Sequence, residues 1–121
     1  MQSKRLFEER RRCKRYSVCA EIEIRETGRG FPSRGTTTDV SLGGCYVATI
    51  FPLPIGATID FTLWTADGAI KGHGSVQTCH PGVGMGIKFI DLAKEAIQRL
   101  GDYLHSSLST LPEEERQSYL R

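Results

Sequence analysis

The stretch ATIDFTLWTADG, residues 57–68, predicts a β-strand that ends in a tight turn. Its apolar residues Ile59, Phe61 and Leu63 alternate with polar residues, and a period of two places them on one face of a strand. The tripeptide ADG is typical of a hairpin turn, and the Gly-rich run over residues 70–79 can form the returning strand. This part of the chain therefore indicates an antiparallel sheet with one buried face.

Similar patterns recur on both sides of this hairpin. Upstream, apolar and polar residues alternate over residues 18–25, and β-branched residues dominate residues 36–41. Further strands are predicted over residues 45–50 and 83–89, whereas residues 27–35 have the composition of a loop. About six short strands at hairpin intervals predict a small antiparallel barrel.

The period of the pattern changes after the last predicted strand. Apolar residues then recur at spacings of three and four, as on one face of an amphipathic helix: Ala93, Ile97, Leu100, Leu104 and Leu108. Asp91 is predicted to be the N-cap of this helix. A second short helix can begin at Thr110, which has capping-box spacing to Glu113. The expected fold is all-β with a C-terminal helix: a six-stranded antiparallel β-barrel plus one or two helices.

The composition favours one soluble domain. A chain of 121 residues can enclose a single core without disulfides. No apolar run is long enough to span a membrane, and the basic N-terminus lacks the apolar block of a signal peptide. The cysteines Cys13, Cys19, Cys45 and Cys79 are scattered, with no C-x-x-C pair, and are expected to be reduced thiols. We therefore expect a cytoplasmic protein that needs no metal and no cofactor and does not insert into a membrane.

Positive charge is concentrated near the N-terminus. Of the sixteen Lys and Arg residues, seven lie within residues 4–15, together with two of the fourteen Asp and Glu residues. The rest of the chain therefore carries nine cations and twelve anions, and it is not expected to present a general nucleic-acid surface. Residues 1–14 are predicted to form a flexible basic arm, and residues 15–121 to form the barrel with its C-terminal helix.

The sequence contains no recognisable catalytic arrangement. His73, His80 and His105 lie on a predicted strand, in a turn and near a helix end, without the spacing of a Ser-His-Asp or Cys-His site. The run GVGMG, residues 82–86, is not a dinucleotide loop, because Ile87 stands where that fingerprint needs Gly. We therefore do not expect an enzyme.

Two stretches carry groups suited to an anionic ligand that contains guanine. Arg11 and Arg15 are four residues apart before the first strand, and Arg can bind phosphate or the O6/N7 edge of guanine through paired hydrogen bonds. In DVSLGG, residues 39–44, Asp39 and Ser41 point the same way on an extended chain and can accept from the N1 and N2 donors of guanine. Each stretch also has a plain alternative: a solvated basic tail, or a turn in which Asp39 or Ser41 bonds backbone.

Together these stretches resemble the PilZ domain family, whose motifs are R-x-x-x-R and [D/N]-x-S-x-x-G. The first motif matches R-RCK-R at residues 11–15, and the second matches D-V-S-L-G-G at residues 39–44. The run GVGMGIKF, residues 82–89, is similar to the closing strand of the family, and the resemblance covers roughly residues 10–104. It implies a six-stranded antiparallel barrel with a C-terminal helix, and a non-catalytic receptor for the bacterial second messenger cyclic di-GMP.

The resemblance also implies a ligand site. Arg11 and Arg15 would bind the phosphates and guanine edges, Asp39 and Ser41 would bind guanine polar atoms, and Gly44 would leave room for the nucleotide. Arg10 precedes the first motif directly, and we expect it to add a phosphate or guanine-stacking contact that favours two intercalated ligand molecules over one. The predicted ligand-binding residues are thus Arg10, Arg11, Arg15, Asp39, Ser41 and Gly44.

The function expected from these residues is a receptor whose arm changes conformation when cyclic di-GMP binds. The receptor would regulate an unidentified protein target with a motility, biofilm or exopolysaccharide output. The alternative is a PilZ-like protein-interaction adaptor that does not depend on nucleotide. Binding of nucleic acid through the basic arm is a third hypothesis, which the acidic balance of the rest of the chain disfavours.

Overall fold

The computed structural model describes residues 15–109. Their order is six strands followed by one helix, α1. The strands are β1 (Glu21–Glu26), β2 (Ser33–Val40), β3 (Gly44–Ala48), β4 (Thr58–Thr65), β5 (Gly68–His80) and β6 (Gly84–Ile90), and α1 is Lys94–Ser109. The prediction of a flexible arm over residues 1–14 and that of a second helix near Thr110 lie outside the described residues.

The six strands close into a barrel in which every neighbouring pair is antiparallel. Around the barrel the order is β1-β2-β3-β6-β5-β4. Closure gives each strand a hydrogen-bonded neighbour on both sides, so no strand edge is left open within the sheet. The predicted six-stranded antiparallel barrel with a C-terminal helix is therefore confirmed.

The alternation predicted from the sequence defines the core. Ile59, Phe61 and Leu63 point into the barrel, and the apolar residues of the first predicted strand are buried as well. Phe61 stacks on Phe89 of β6 with ring centroids 4.8 Å apart. Leu100 and Leu104 of α1 belong to the same core, so the helix packs on the barrel through the apolar face that its spacing predicts.

Several details of the sequence prediction differ from the structure. Strand β2 begins at Ser33 rather than at Thr36, because its first residues pair with β1 although they look loop-like in sequence. Asp91 is not the N-cap of α1: it lies three residues before Lys94 and has a φ of 49°, so it forms the turn that leads from β6 towards the helix. Ala93 precedes the helix and is exposed.

No helix in the part of the chain that the structure describes is long and apolar enough to cross a membrane. Between residues 15 and 109, no group of three or more His, Cys, Asp or Glu side chains is placed to hold a metal ion.

The Thr37 side chain joins β2 to the segment that precedes β1. Thr37 is fully buried, its hydroxyl donates to the Val18 carbonyl at 2.6 Å, and the Ala20 amide donates to the same hydroxyl at 2.9 Å. The hydroxyl thus satisfies one buried acceptor and one buried donor where regular strand pairing does not reach them. Thr37 thereby holds the buried residues Val18 and Ala20 against the barrel.

We expect Thr37→Val to lower the free energy of unfolding by about 2–4 kcal/mol, because it leaves two buried backbone groups without a partner. Urea unfolding followed by circular dichroism measures this change. Thr36→Val is the matched control, since Thr36 is exposed on the same strand and should tolerate the replacement. Equal stability of the two variants would contradict the role given to the Thr37 hydroxyl.

Candidate functional site

A β-bulge in β2 turns Asp39 towards the outside of the barrel. The register of β2 on β3 shifts between Thr37 and Asp39, so Thr38 is the extra residue. Thr37 points inwards, Thr38 and Asp39 are accessible, and Val40 is again buried. The bulge therefore places a carboxylate on the outer face immediately before the turn that follows β2.

The Ser41 hydroxyl holds that turn together. It accepts from the amides of Gly43 and Gly44 at 3.1 and 3.2 Å, while the Ser41 amide donates to the Gly44 carbonyl at 2.8 Å. Ser41 is only 4% exposed. The backbone contacts of the turn alternative are therefore present at Ser41, and through them its hydroxyl shapes the rim of the site.

Gly44 allows β3 to lie tightly against β6. A Cβ atom on Gly44 would stand 2.1 Å from the carbonyl oxygen of Ile87, well inside van der Waals contact. Gly44 therefore lies at the site as a requirement of strand packing. Gly44 also lines the cavity, so the prediction that it leaves room for a nucleotide stays a prediction beside this packing role.

Arg15 reaches Asp39 from the segment that precedes β1. Tyr16 and Val40 form an isolated antiparallel bridge, with amide-to-carbonyl distances of 2.8 and 2.9 Å in the two directions. This bridge fixes the backbone next to Arg15, whose guanidinium forms an ion pair with the Asp39 carboxylate. The side chains of Arg15 and Asp39 are 60% and 29% exposed, so both remain accessible to a ligand.

These residues line one side of a cavity of about 590 Å³ on the outer face of the barrel. The structure thus brings together four of the six residues predicted from the motifs, namely Arg15, Asp39, Ser41 and Gly44. Arg10 and Arg11 lie outside the described residues. The remaining wall comes from β3, β5 and β6: Tyr46, Gln77, Thr78, His80, Gly86, Ile87, Lys88 and Phe89, with Gly43 from the turn.

Sequence reasoning missed the residues of this second wall. Tyr46 stands between the buried residues Cys45 and Val47, so the period of two could have placed its side chain on the outer face. The pairing of β5 with β6 follows from the short turn between them, but nothing local indicates that β3 pairs with β6, because these two segments are far apart in the chain. His80 is predicted from the sequence to lie in a turn, whereas in the structure it is the last residue of β5 and lines the cavity.

A second, smaller cavity of about 180 Å³ lies among charged residues of β1 and β4. Its Asp60 carboxylate is already paired with Arg25 at 3.7 Å and with His73 at 2.6 Å. Within the described part of the chain, this smaller cavity contains none of the predicted ligand-binding residues, so the larger cavity beside Arg15 is the better candidate site.

The Cys45 thiol lies directly beneath the site, in the core. Burial, with the nearby Asp39 carboxylate as a smaller cause and Arg15 opposing it, raises the pKa of Cys45 from 9.0 to about 12. The neutral thiol therefore contributes stability that is present below pH 9 and is lost as the pH rises towards 12. Because a thiol without its thiolate is a poor nucleophile, Cys45 is inert in the folded protein.

We expect a thiol reagent at pH 8 to modify the exposed Cys19 rapidly and Cys45 only at the rate of unfolding. Mass spectrometry of the peptides at successive times measures both rates. Labelling in urea is the control, because Cys45 should then react as fast as Cys19. Rapid modification of Cys45 in the native protein would contradict its burial and raised pKa.

Comparisons with known proteins identify the family to which this barrel belongs. The family model of the PilZ domain matches residues 9–106. The chain therefore belongs to the PilZ domain family. No curated protein gives a significant match to the sequence.

Several solved structures share the fold. The PilZ domain of YcgR from Escherichia coli, solved with c-di-GMP, is 16% identical, with a TM-score of 0.68 over 80% of this chain and 90% of that chain. The inhibitor of motility MotI/DgrA from Bacillus subtilis is 16% identical, with a TM-score of 0.71 over 85% of this chain. PlzA from Borreliella burgdorferi, solved in complex with c-di-GMP, is also 16% identical, with a TM-score of 0.61 over 85% of this chain. The chain spans about half the length of the last two, 54% and 44% respectively.

Proposed function

We propose that this protein is a non-catalytic receptor for cyclic di-GMP, which binds in the cavity between Arg15 and the outer face of β3 and β6. The observation that carries the proposal is the pairing of Arg15 with Asp39 on the rim of that cavity. A guanidinium and a carboxylate side by side offer donors for phosphate or the guanine O6/N7 edge and acceptors for guanine N1 and N2. The similar structures of YcgR and PlzA were solved with this ligand, which supports the choice of nucleotide.

The ion pair holds both side chains at the ligand site before the ligand arrives. When the ligand binds, Arg15 donates to an acceptor of the ligand and Asp39 accepts from a donor of the ligand. Two charge-assisted contacts to the ligand then replace the single contact between Arg15 and Asp39. A site held in this way loses little side-chain entropy on binding. Ser41 and Gly44 contribute indirectly, since they fix the turn that carries Asp39 to the rim.

The arginines of the arm complete the proposed site. Arg11 would grip a phosphate or a guanine edge together with Arg15, and Arg10 would add a phosphate or stacking contact that favours an intercalated ligand dimer. Neutralisation of the clustered cations by phosphate would allow residues 1–14 to close over the barrel face. The closed arm would create or hide a surface for a protein target, with a motility, biofilm or exopolysaccharide output.

Isothermal titration of the protein with cyclic di-GMP tests this function. We expect saturable binding with two ligands per chain, resistant to competition by GTP and by bulk DNA. A stoichiometry of one would contradict the role given to Arg10 but leave the receptor intact. Absence of binding, or displacement by DNA with a steep salt dependence, would overturn the receptor function in favour of a polyanion-binding arm.

An adaptor that does not depend on nucleotide is the second candidate, and an apolar surface near the cavity favours it. Ile50, Phe51 and Val83 are exposed, Phe51 to 87%, and two backbone hydrogen bonds join their loops, Thr49 to Val83 and Gly82 to Ile50. Such a cluster is typical of a protein-binding surface. Cells that carry the Arg15→Ala variant discriminate between the two functions. Unchanged motility, biofilm and exopolysaccharide production would favour the adaptor, whereas loss of one of these outputs would favour the receptor.

A further inference from the structure

One row of residues crosses four strands on the floor of the cavity. In the strand register, Asp39 of β2 lies opposite Tyr46 of β3, Tyr46 lies opposite Gly86 of β6, and Gly86 lies opposite Thr78 of β5. Side chains directly opposite each other on one face of an antiparallel pair have Cβ atoms about 5 Å apart. A group bound at the Asp39 carboxylate therefore has the Tyr46 side chain as its immediate neighbour.

The Tyr46 ring lies across β6 towards β5. A Cβ atom built on Gly84 would stand 2.7 Å from the ring atom Cε1 and 3.1 Å from Cζ, so the ring covers the bare backbone of Gly84. Its hydroxyl shares a hydrogen bond with Nδ1 of His80 at 2.9 Å, and the two ring centroids are 5.9 Å apart. We call Tyr46 and His80 the aromatic shelf.

Tyr46 remains partly accessible at the cavity, because the residue is only half-buried and is one of those that line it. On one side the ring lies close to Gly84, and Tyr46 and His80 both line the cavity. The contact with His80 restrains the ring, so little rotamer freedom remains to be lost when a ligand binds. A flat, restrained aromatic surface beside a carboxylate is the arrangement on which a nucleobase can stack while its edge is hydrogen-bonded.

We propose that the aromatic shelf stacks one guanine base of the bound ligand, and that it fixes how the ligand lies along the row from Asp39 to Thr78. This inference rests on the proposed function, since it concerns the same cavity. None of the motif residues supplies an aromatic surface, so the shelf adds a type of contact that the motifs do not provide. Stacking on one aromatic side chain typically changes affinity by about tenfold or more.

Three variants separate stacking from a purely structural cross-strand contact. Tyr46→Leu removes the aromatic surface, and we expect the Kd for cyclic di-GMP to rise about tenfold or more. Tyr46→Phe keeps the ring and loses only the hydrogen bond to His80, so its Kd should stay within about fivefold of the wild type. His80→Ala leaves the ring without its restraint and should fall between the two.

The matched control is His73→Ala. His73 lies on the same strand as His80 and is also hydrogen-bonded, to Asp60, but it does not line the cavity. We expect it to bind cyclic di-GMP as the wild type does. Thermal unfolding of each variant checks that the barrel persists.

Proton NMR of the bound nucleotide gives a readout that a structural role would not move. A guanine stacked on Tyr46 should show an upfield ring-current shift of its H8 resonance beyond that of the intercalated ligand itself, and this additional shift should be retained in Tyr46→Phe and lost in Tyr46→Leu. If the wild type binds but Tyr46→Leu binds equally well, or if the additional H8 shift is absent, the proposal that guanine stacks on the aromatic shelf is overturned, while the receptor function stands. If the wild type does not bind cyclic di-GMP at all, the proposed function is wrong, and the stacking proposal that rests on it is wrong as well.

Discussion

Arg15→Ala is expected to abolish measurable binding of cyclic di-GMP, weakening it by at least about 100-fold. Arg15 and Lys88 are the two described Arg or Lys residues that line the cavity, and the Arg15 guanidinium already faces the Asp39 carboxylate. Loss of two charge-assisted hydrogen bonds to the ligand removes the strongest contacts that the described residues offer. Asp39, left without its ion-pair partner, would in addition repel the phosphates. Calorimetry on the folded variant measures the loss.

Two further variants sharpen that experiment. Arg25→Ala removes an equally exposed strand arginine that is paired with Asp60 away from the cavity, and it should bind as the wild type does. Asp39→Ala should also abolish binding, whereas Asp39→Asn retains an acceptor oxygen and should lose less. Unchanged affinity in Arg15→Ala or in Asp39→Ala, with the barrel intact, would show that the ligand site has been placed wrongly.

Gly44→Ala is expected to destabilise the barrel by about 3 kcal/mol or more. The added methyl group would stand 2.1 Å from the Ile87 carbonyl oxygen, and the strand backbone cannot give way as a flexible side chain can. Relief of the clash requires β3 and β6 to separate, which weakens the ladder beneath the cavity. Chemical unfolding measures the loss of stability, and ligand binding should weaken in parallel because the Ser41 turn shifts.

Gly101→Ala provides the control for that substitution. Gly101 lies inside α1, and the nearest atom to an added Cβ is Leu42 Cδ2 at 4.0 Å. The same change should therefore stabilise the protein by about 0.5–1 kcal/mol, because Ala is the better helix former. A Gly44→Ala variant as stable as the wild type would show that the close approach of β3 and β6 is not required.

Local sequence patterns were sufficient for the fold because most of the strands bury every second residue. The run around Ile59, Phe61 and Leu63 predicts both the strand and its inner face, and the spacing of Leu100 and Leu104 predicts the helix face. Asp91 shows the limit of such reasoning. Its side chain suits an N-cap, but the turn out of β6 requires a left-handed backbone conformation at this position. The tertiary structure therefore determines the role of Asp91, and its local capping preference does not.

The candidate site was predictable only where a motif is contiguous. Asp39, Ser41 and Gly44 stand together in sequence, so a pattern can find them, although it cannot tell that Ser41 bonds the backbone. Tyr46 and His80 meet only after β3, β6 and β5 have paired, and the bulge at Thr38 sets which residue faces Tyr46. Register and bulges depend on contacts between distant segments, so no local pattern predicts them.

The bridge between Tyr16 and Val40 also determines how strongly residues upstream of it can act at the cavity. Because the bridge anchors the chain next to Arg15, the backbone of Arg11 can never be more than roughly 14 Å from that of Arg15. So short a tether corresponds to an effective concentration in the millimolar range or above. Under the proposed function, once Arg15 held a ligand, Arg11 would reach that ligand by intramolecular capture rather than by diffusion. Removal of residues 1–14 should therefore weaken ligand binding. A separate peptide with the same residues, added to the shortened protein, should restore little of that binding.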